Sequence, residues 1–211
     1  MLENIHWLGH DSFRLDGGVT VYIDPYKLPV RQPRADVVLV THEHYDHFSP
    51  DDLRQIAGPD TVVVGPASVT AQVQGHETVT VAAGDSLEVR GVPLQVVVAY
   101  NLDKFRSPGE PYHPRESGHV GYVLTFGGVR YYHAGDTDAV PEMANVQCDV
   151  ALLPVGGTYT MTWQEAAAAC DVIDAAAAVP MHYGEVVGDE RDARNFRDHC
   201  RLPVTILPLE R

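Results

Sequence analysis

Four residues able to bind a metal stand within the six-residue run His42-Glu43-His44-Tyr45-Asp46-His47. Imidazole and carboxylate together suit a borderline divalent cation, and the run offers more donor atoms than one tetrahedral ion uses. Two ions are therefore expected. The spacing differs from the helical His-Glu-x-x-His of zinc proteases, whose two histidines lie a helical turn apart, and that class is set aside. If the chain stays extended past Val40, its two-residue period places His42, His44 and Asp46 on one side, and a bend before the next helix must turn His47 inward.

The elements that must hold this run are mostly strands. Short apolar stretches at Ile5 to Leu8, Ser12 to Leu15, Val19 to Ile23 and Val37 to Val40 are broken by turn residues, and Asp16-Gly17-Gly18 supplies the flexible backbone of a hairpin between the second and third. Ser49-Pro50-Asp51-Asp52 then starts a helix, with a capping hydroxyl, a first-turn proline and acids at the positive end of the helix dipole. Further strands are predicted at Thr61 to Val64, Thr78 to Val81, Ser86 to Val89, Leu94 to Val98, Val120 to Thr125, Val129 to Tyr132, Asp149 to Pro154 and Ala177 to Met181. Helices are predicted at Pro66 to Gln74, Thr162 to Ala175 and Asp189 to Cys200. The stretch 101–118 reads as a long loop, rich in proline and charge, of the kind that often carries function.

A chain of 211 residues closes one substantial core, so residues 1–211 are read as a single domain. The net charge of −14 repels polyanions over most of the surface and disfavours nucleic acid. A metal cluster still creates a local positive field for a small anionic substrate. No apolar stretch is long enough to span a bilayer, and neither a signal peptide nor a membrane partner is expected. Cys148, Cys170 and Cys200 are odd in number and widely spaced, which argues against a disulfide framework and for a reducing cytoplasm.

Thr-His42-x-His44-x-Asp46-His47 after an apolar strand resembles the signature of the metallo-β-lactamase superfamily. Tyr132-His133-Ala134-Gly135-Asp136-Thr137 and Pro180-Met181-His182-Tyr183-Gly184 follow in that superfamily's order. With Trp7-Leu8-Gly9-His10 and Ile23-Asp24-Pro25, the chain is similar to small metal-dependent hydrolases related to ascorbate-6-phosphate lactonase, from Trp7 to Gly184. The resemblance implies an α/β (α+β) fold of the four-layer αββα type, two mixed β-sheets flanked by helices. It implies a dinuclear metal site in which His42 and His44 bind one ion, Asp46, His47 and His182 the other, and Asp136 bridges them.

The family offers one more histidine after a mid-chain strand, where this chain has Asn101. Either Asn101 binds through its carbonyl oxygen, or a loop histidine, His113 before His119, takes the place, or the first ion binds poorly. His10 and Asp24 follow early strands and are expected to hold ligand imidazoles or carboxylates from behind. His133 points away from Asp136 by strand alternation and is read as packed.

The implied chemistry is a water held between two divalent ions, zinc first with manganese, iron or nickel as alternatives, and deprotonated near neutral pH. Asp46 and Asp136 are the catalytic carboxylates, and Asp46 orients the water or takes its proton. Tyr100, Lys104, Tyr112 and Tyr159 are candidates for gripping a small-molecule substrate, an anionic one included. Three functions fit: hydrolysis of a small lactone or phosphoester, a nuclease or phosphodiesterase on nucleic acid, and a non-catalytic metal-binding regulator. Self-association into a homo-oligomer is compatible with all three.

Overall fold

A computed structural model describes residues 1–210. The first sheet runs in chain order: β1 (Ile5–Gly9), β2 (Ser12–Asp16), β3 (Thr20–Ile23), β4 (Ala35–Leu39), β5 (Ala57–Gly65) and β6 (Glu77–Thr80). The first three strands form an antiparallel meander, and β3 to β6 are parallel. The hairpin predicted at Asp16-Gly17-Gly18 pairs Phe13 with Ile23 and Leu15 with Val21.

Alternation assigns the two faces of this sheet. Val21, Ile23, Val37, Leu39, Val62 and Val64 enter the inter-sheet core. Tyr22, Val38, Val40 and Val63 pack on the outer face against Leu53, Ile56 and Val69. Burial on both faces is what makes these strands read as unbroken apolar runs. Leu53 and Ile56 belong to α1 (Pro50–Ile56), which is capped by the Ser49 hydroxyl accepting from the Asp52 N–H at 3.2 Å, and Val69 to α2 (Ala67–Thr70). The cap contributes about 1 kcal/mol.

The second sheet contains β7 (Ser86–Val89) and β8 (Val92–Val98). A separate two-stranded hairpin, β9 (Phe105–Ser107) with β10 (Glu110–Pro111), sits inside the stretch predicted to be loop. The sheet continues with β11 (Val120–Phe126), β12 (Val129–His133), β13 (Val150–Pro154) and β14 (Ala177–Met181), in the order β14-β13-β12-β11-β8-β7. Its outer face is covered by α3 (Trp163–Ala169) and α4 (Glu190–His199), each opened by a capping box. Two mixed sheets face to face with helices outside make the expected four-layer αββα arrangement.

Two helices are shorter than predicted. The alanine-rich stretch to Ala175 stops at Ala169 because residues 170–176 must return to the sheet, where Cys148 N donates to Asp174 O and Asp174 N donates to Val146 O. The helix predicted to Gln74 covers only residues 67–70, since β6 begins seven residues later. In both, good local helix formers yield to the short path between parallel strands.

β1, β3, β4, β8, β12, β13 and β14 all run in one direction within their sheets. The sheets are joined at the ends of these strands by Val120 N to Thr41 O (3.1 Å), His182 N to His10 O (3.1 Å) and Tyr122 Oη to Val40 O (2.8 Å). The segments leaving β1, β3, β4, β8, β12 and β14 therefore converge on one edge. No helix among the described residues is long and apolar enough to cross a membrane.

Candidate metal centre

Past Leu39 the chain is not extended. Residues 41–47 bend and close a turn in which the N–H groups of His47 and Phe48 both donate to His44 O, at 3.0 and 2.8 Å. The two-residue period therefore does not apply to His42, His44 and Asp46. His42 Nε2 and His44 Nδ1 still meet at 3.0 Å, while Asp46 turns toward β1, its Oδ2 3.2 Å from His10 Nε2. The bend carries His47 fully inside.

Asp136 follows β12 through Gly135, whose φ of +64° favours glycine and whose added Cβ would lie 2.8 Å from Val120 O. His182 leaves β14 with φ 58°, and Gly156 makes room for it, since a Cβ there would stand 2.2 Å from His182 O. These turns bring the carboxylate of Asp136 among the imidazoles. Its Oδ2 lies 3.1 Å from His113 Nε2, 3.2 Å from His182 Nε2 and 3.9 Å from His42 Nε2, and its Oδ1 lies 3.3 Å from His47 Nε2.

The outer nitrogens explain which lone pairs face inward. Asp24 accepts Thr41 N (2.8 Å), Thr41 Oγ1 (2.6 Å) and His47 Nδ1 (2.8 Å), and Thr41 Oγ1 in turn is 3.0 Å from His42 Nδ1. His113 Nδ1 donates to Asn101 Oδ1 at 3.0 Å, and the His113 backbone N–H donates to the same oxygen at 2.8 Å. With their Nδ1 protons engaged, His42, His47 and His113 present bare Nε2 atoms to Asp136. Acceptors this close repel unless a cation lies between them. Donor atoms on one tetrahedral ion with bonds of 2.0–2.1 Å stand about 3.3 Å apart, which matches most of the separations found. His47 Nε2, both nitrogens of His182 and Asp136 Oδ1 are moreover buried without a hydrogen-bond partner. The residues present fit divalent metal.

Electrostatics support this reading. Burial opposes ionisation of Asp136, but His182, His47 and His113 outweigh it and hold the carboxyl well below the usual range. Burial, reinforced by His47, pushes His42 well below the ordinary imidazole range, so its lone pair stays available in mild acid. His10 is pushed down to about 4 by burial and by His182.

Asn101 is thus the support of His113 rather than a donor. Its carbonyl oxygen is taken by His113, and its amide donates to Asp138 Oδ1 at 3.2 Å and Tyr159 O at 3.0 Å. Asn101→Ala should weaken binding at the His42–His44–His113 side by about 10–100-fold, as loss of an outer-nitrogen partner typically does. Titration of metal-free protein by calorimetry reads this, and unchanged affinity would refute the role. His119 also stands close, within reach of His42 and His113 as a donor group, with its Nε2 3.4 Å from Glu43.

A cleft of about 260 Å³ opens on the cluster, lined by His44, Tyr45, Asp46, Tyr112, His113, Asp136, Tyr159 and Val186. Tyr112 and Tyr159 pack edge to face at 4.8 Å. Tyr100 and Lys104 do not line it. The Tyr100 ring lies under Arg115, with its hydroxyl bonded to Glu142, and Lys104 Nζ is held by Asp103, Glu165 and Asp138. A larger groove of about 620 Å³, between Trp7, Tyr183 and Leu207, contains none of the clustered donors. His133 packs as expected, its ring edge-on to Phe13 and its Nε2 2.9 Å from Asp11 O. The sequence reading missed Asp11, a fully buried carboxylate beside His47, for which adjacency to His10 was the only signal.

Residues 4–182 match the family profile of the beta-lactamase superfamily domain. A UPF0173 metal-dependent hydrolase of Methanopyrus kandleri is 34% identical over 98% of this chain and 96% of its own length. A second, from Nitratidesulfovibrio vulgaris, is 34% identical over 96% of this chain and 92% of its own. Among solved structures, a candidate metal-dependent hydrolase from Parabacteroides distasonis superposes with a TM-score of 0.85 at 30% identity, covering 98% of this chain and 93% of that one. Igni18, a metallo hydrolase from Ignicoccus hospitalis, shares the fold at a TM-score of 0.76 and 22% identity, covering 98% and 95%.

Proposed function

The chain belongs to the beta-lactamase superfamily, within its UPF0173 group of metal-dependent hydrolases, and from that premise we propose that it cleaves a small lactone or phosphoester at the cluster around Asp136. His42, His44 and His113 would hold one divalent ion and Asp46, His47 and His182 a second, with the Asp136 carboxylate placed between the two groups. Bound there, the ions supply Lewis acidity and bring the pKa of a water toward neutrality. Zinc suits the imidazole-rich first position, and manganese, iron or nickel are the alternatives.

The carboxylate of Asp46, which burial pushes up but the His10 hydrogen bond and the nearby His47 together hold below its usual range, is available to orient a water and accept its proton. Tyr112 and Tyr159 form the wall against which a substrate ring or ester chain rests.

The observation that carries the reading is the cleft: it opens directly on Asp46, His113 and Asp136, and its volume of about 260 Å³ suits a small substrate. The nuclease alternative is disfavoured because no lysine or arginine lines it and the loop cation Lys104 is neutralised by carboxylates. The regulator alternative rested on Asn101 leaving an ion short of a ligand, and His113 supplies that ligand. Three free cysteines suit a reducing cytoplasm.

The test is a panel of lactones, phosphomonoesters and phosphodiesters presented to metal-loaded protein, with single-stranded RNA and DNA alongside. Turnover of a lactone or small phosphoester is the expected result. Cleavage of nucleic acid alone would overturn the small-molecule reading, and no turnover by protein carrying two ions would favour the regulator.

A further inference from the structure

Two fully buried carboxylates flank His47, and they are treated in opposite ways by the fold. Asp24 lies against Nδ1 at 2.8 Å and has every oxygen satisfied by Thr41 and His47. Asp11 lies on the other side of the ring, its Oδ2 3.6 Å from His47 Nε2, the nitrogen that faces Asp136. Neither oxygen of Asp11 has a hydrogen-bond partner. A carboxylate sealed from water normally collects N–H or O–H donors, because leaving it bare sacrifices its hydration for nothing in return. The turn that carries Asp11 is nonetheless firmly built: Trp7 Nε1 donates to His10 O at 2.9 Å, His133 Nε2 to Asp11 O at 2.9 Å, and Tyr26 N to Ser12 Oγ at 2.8 Å. Donor atoms of His10, Asp11, His47 and His182 all lie within 4.8 Å of one another.

We propose that Asp11 is a further ligand of the second ion, beside His47, His182 and Asp136. This rests on the metal centre described above and adds a carboxylate to it. The two positions are then chemically unequal. The first is served by the imidazoles of His42, His44 and His113, whereas the second, with Asp11, Asp46 and Asp136 around it, is rich in hard oxygen donors. Such a set favours manganese or iron(II) over zinc relative to the first position. His133 acquires a role too, as the residue that positions Asp11 through its backbone.

Metal-free full-length protein titrated with manganese, followed by calorimetry and by electron paramagnetic resonance, tests this without any substrate. Wild type should bind two equivalents and develop the spectrum of a coupled pair. Asp11→Asn and Asp11→Ala should weaken binding of the second equivalent by more than the roughly 10–100-fold that loss of an outer support costs, leave the first unchanged and show an isolated-ion spectrum. The metal-free variants should melt at or above metal-free wild type, because a buried carboxyl without partners has been removed, yet gain less from manganese. A purely structural Asp11 would instead lower both melting temperatures. Two equivalents bound by Asp11→Asn at wild-type affinity, with the coupled spectrum intact, would overturn the proposal and leave the metal centre standing. No ion bound by wild type would overturn both. Should the variants fail to fold, a zinc-loaded wild-type crystal decides: an Asp11 oxygen about 2.0–2.2 Å from an ion supports the assignment, and one with no ion in bonding range refutes it.

Discussion

Asp136→Ala should reduce kcat/KM on any substrate of the metal-loaded protein by about 10³-fold or more and leave it holding fewer than two ions. The size follows from what converges on this side chain: His113, His182 and His47 all stand within 3.3 Å of its oxygens. Removing it takes a negative charge from among several imidazoles and, in the proposed two-ion centre, the ligand both ions would share. A metal centre contributes several kcal/mol of transition-state charge stabilisation, and about 4 kcal/mol corresponds to that 10³-fold. Ala134 N to Leu152 O, Gly135 N to His133 Nδ1 and Asp138 N to Tyr100 O hold the turn independently of the carboxylate, so the variant should fold. Asp136→Asn, which keeps the shape and discards the charge, separates packing from electrostatics. Metal content by mass spectrometry alongside steady-state kinetics is the measurement. A variant within a few-fold of wild type that still carries two ions would remove Asp136 from the centre of the mechanism.

Stripping the metal should lower the melting temperature by about 8–16 °C per site. A ligand present at a thousand times its dissociation constant stabilises by about 4.1 kcal/mol. For a domain of this length each kcal/mol moves the midpoint by about 2–4 °C. The physical source is visible in the buried polar atoms that lack partners, His47 Nε2, both His182 nitrogens and Asp136 Oδ1, which a cation satisfies together. Part of the loss is offset within the metal-free protein. There burial is outweighed by Asp136 and Asp24, which raise the His47 imidazole well above its ordinary range, so that without metal a proton takes over part of the cation's role beside them. Differential scanning fluorimetry with and without a chelator, followed by re-addition of zinc or manganese, reads the effect. A midpoint that moves by less than about 2 °C would mean that the ions bind weakly or elsewhere.

Much of this site was legible one residue at a time. The run from His42 to His47 announces a metal by composition alone, and Asp136 and His182 follow from motifs after later strands. The supports were partly legible: Asp24 and His10 stand after strand ends, where a second layer of hydrogen bonds is needed. Less legible was what local pattern cannot encode. Extended geometry past Val40 was the wrong basis for grouping His42, His44 and Asp46, because the turn closed on His44 O redirects each side chain. Tyr100 and Lys104 belong to the right loop region but spend their polar groups on Glu142, Arg115 and Glu165, partners far away in the chain.

The sequence by itself determined the chemistry and the kind of scaffold: donor types, their order, the strands they follow, and hence a metal-binding αββα protein. Tertiary structure alone decided which donors meet and which are held from behind. Whether Asn101 or His113 enters the cluster depends on a hydrogen bond spanning twelve residues of loop, and the bareness of Asp11 depends on what does not reach it from elements distant in sequence. A residue's type is local, whereas its hydration and its partners are properties of the enclosing fold. The run from His42 to His47 therefore names the element that carries most of the donors, and the closure of two sheet edges around Asp136 sets which other donors stand beside them.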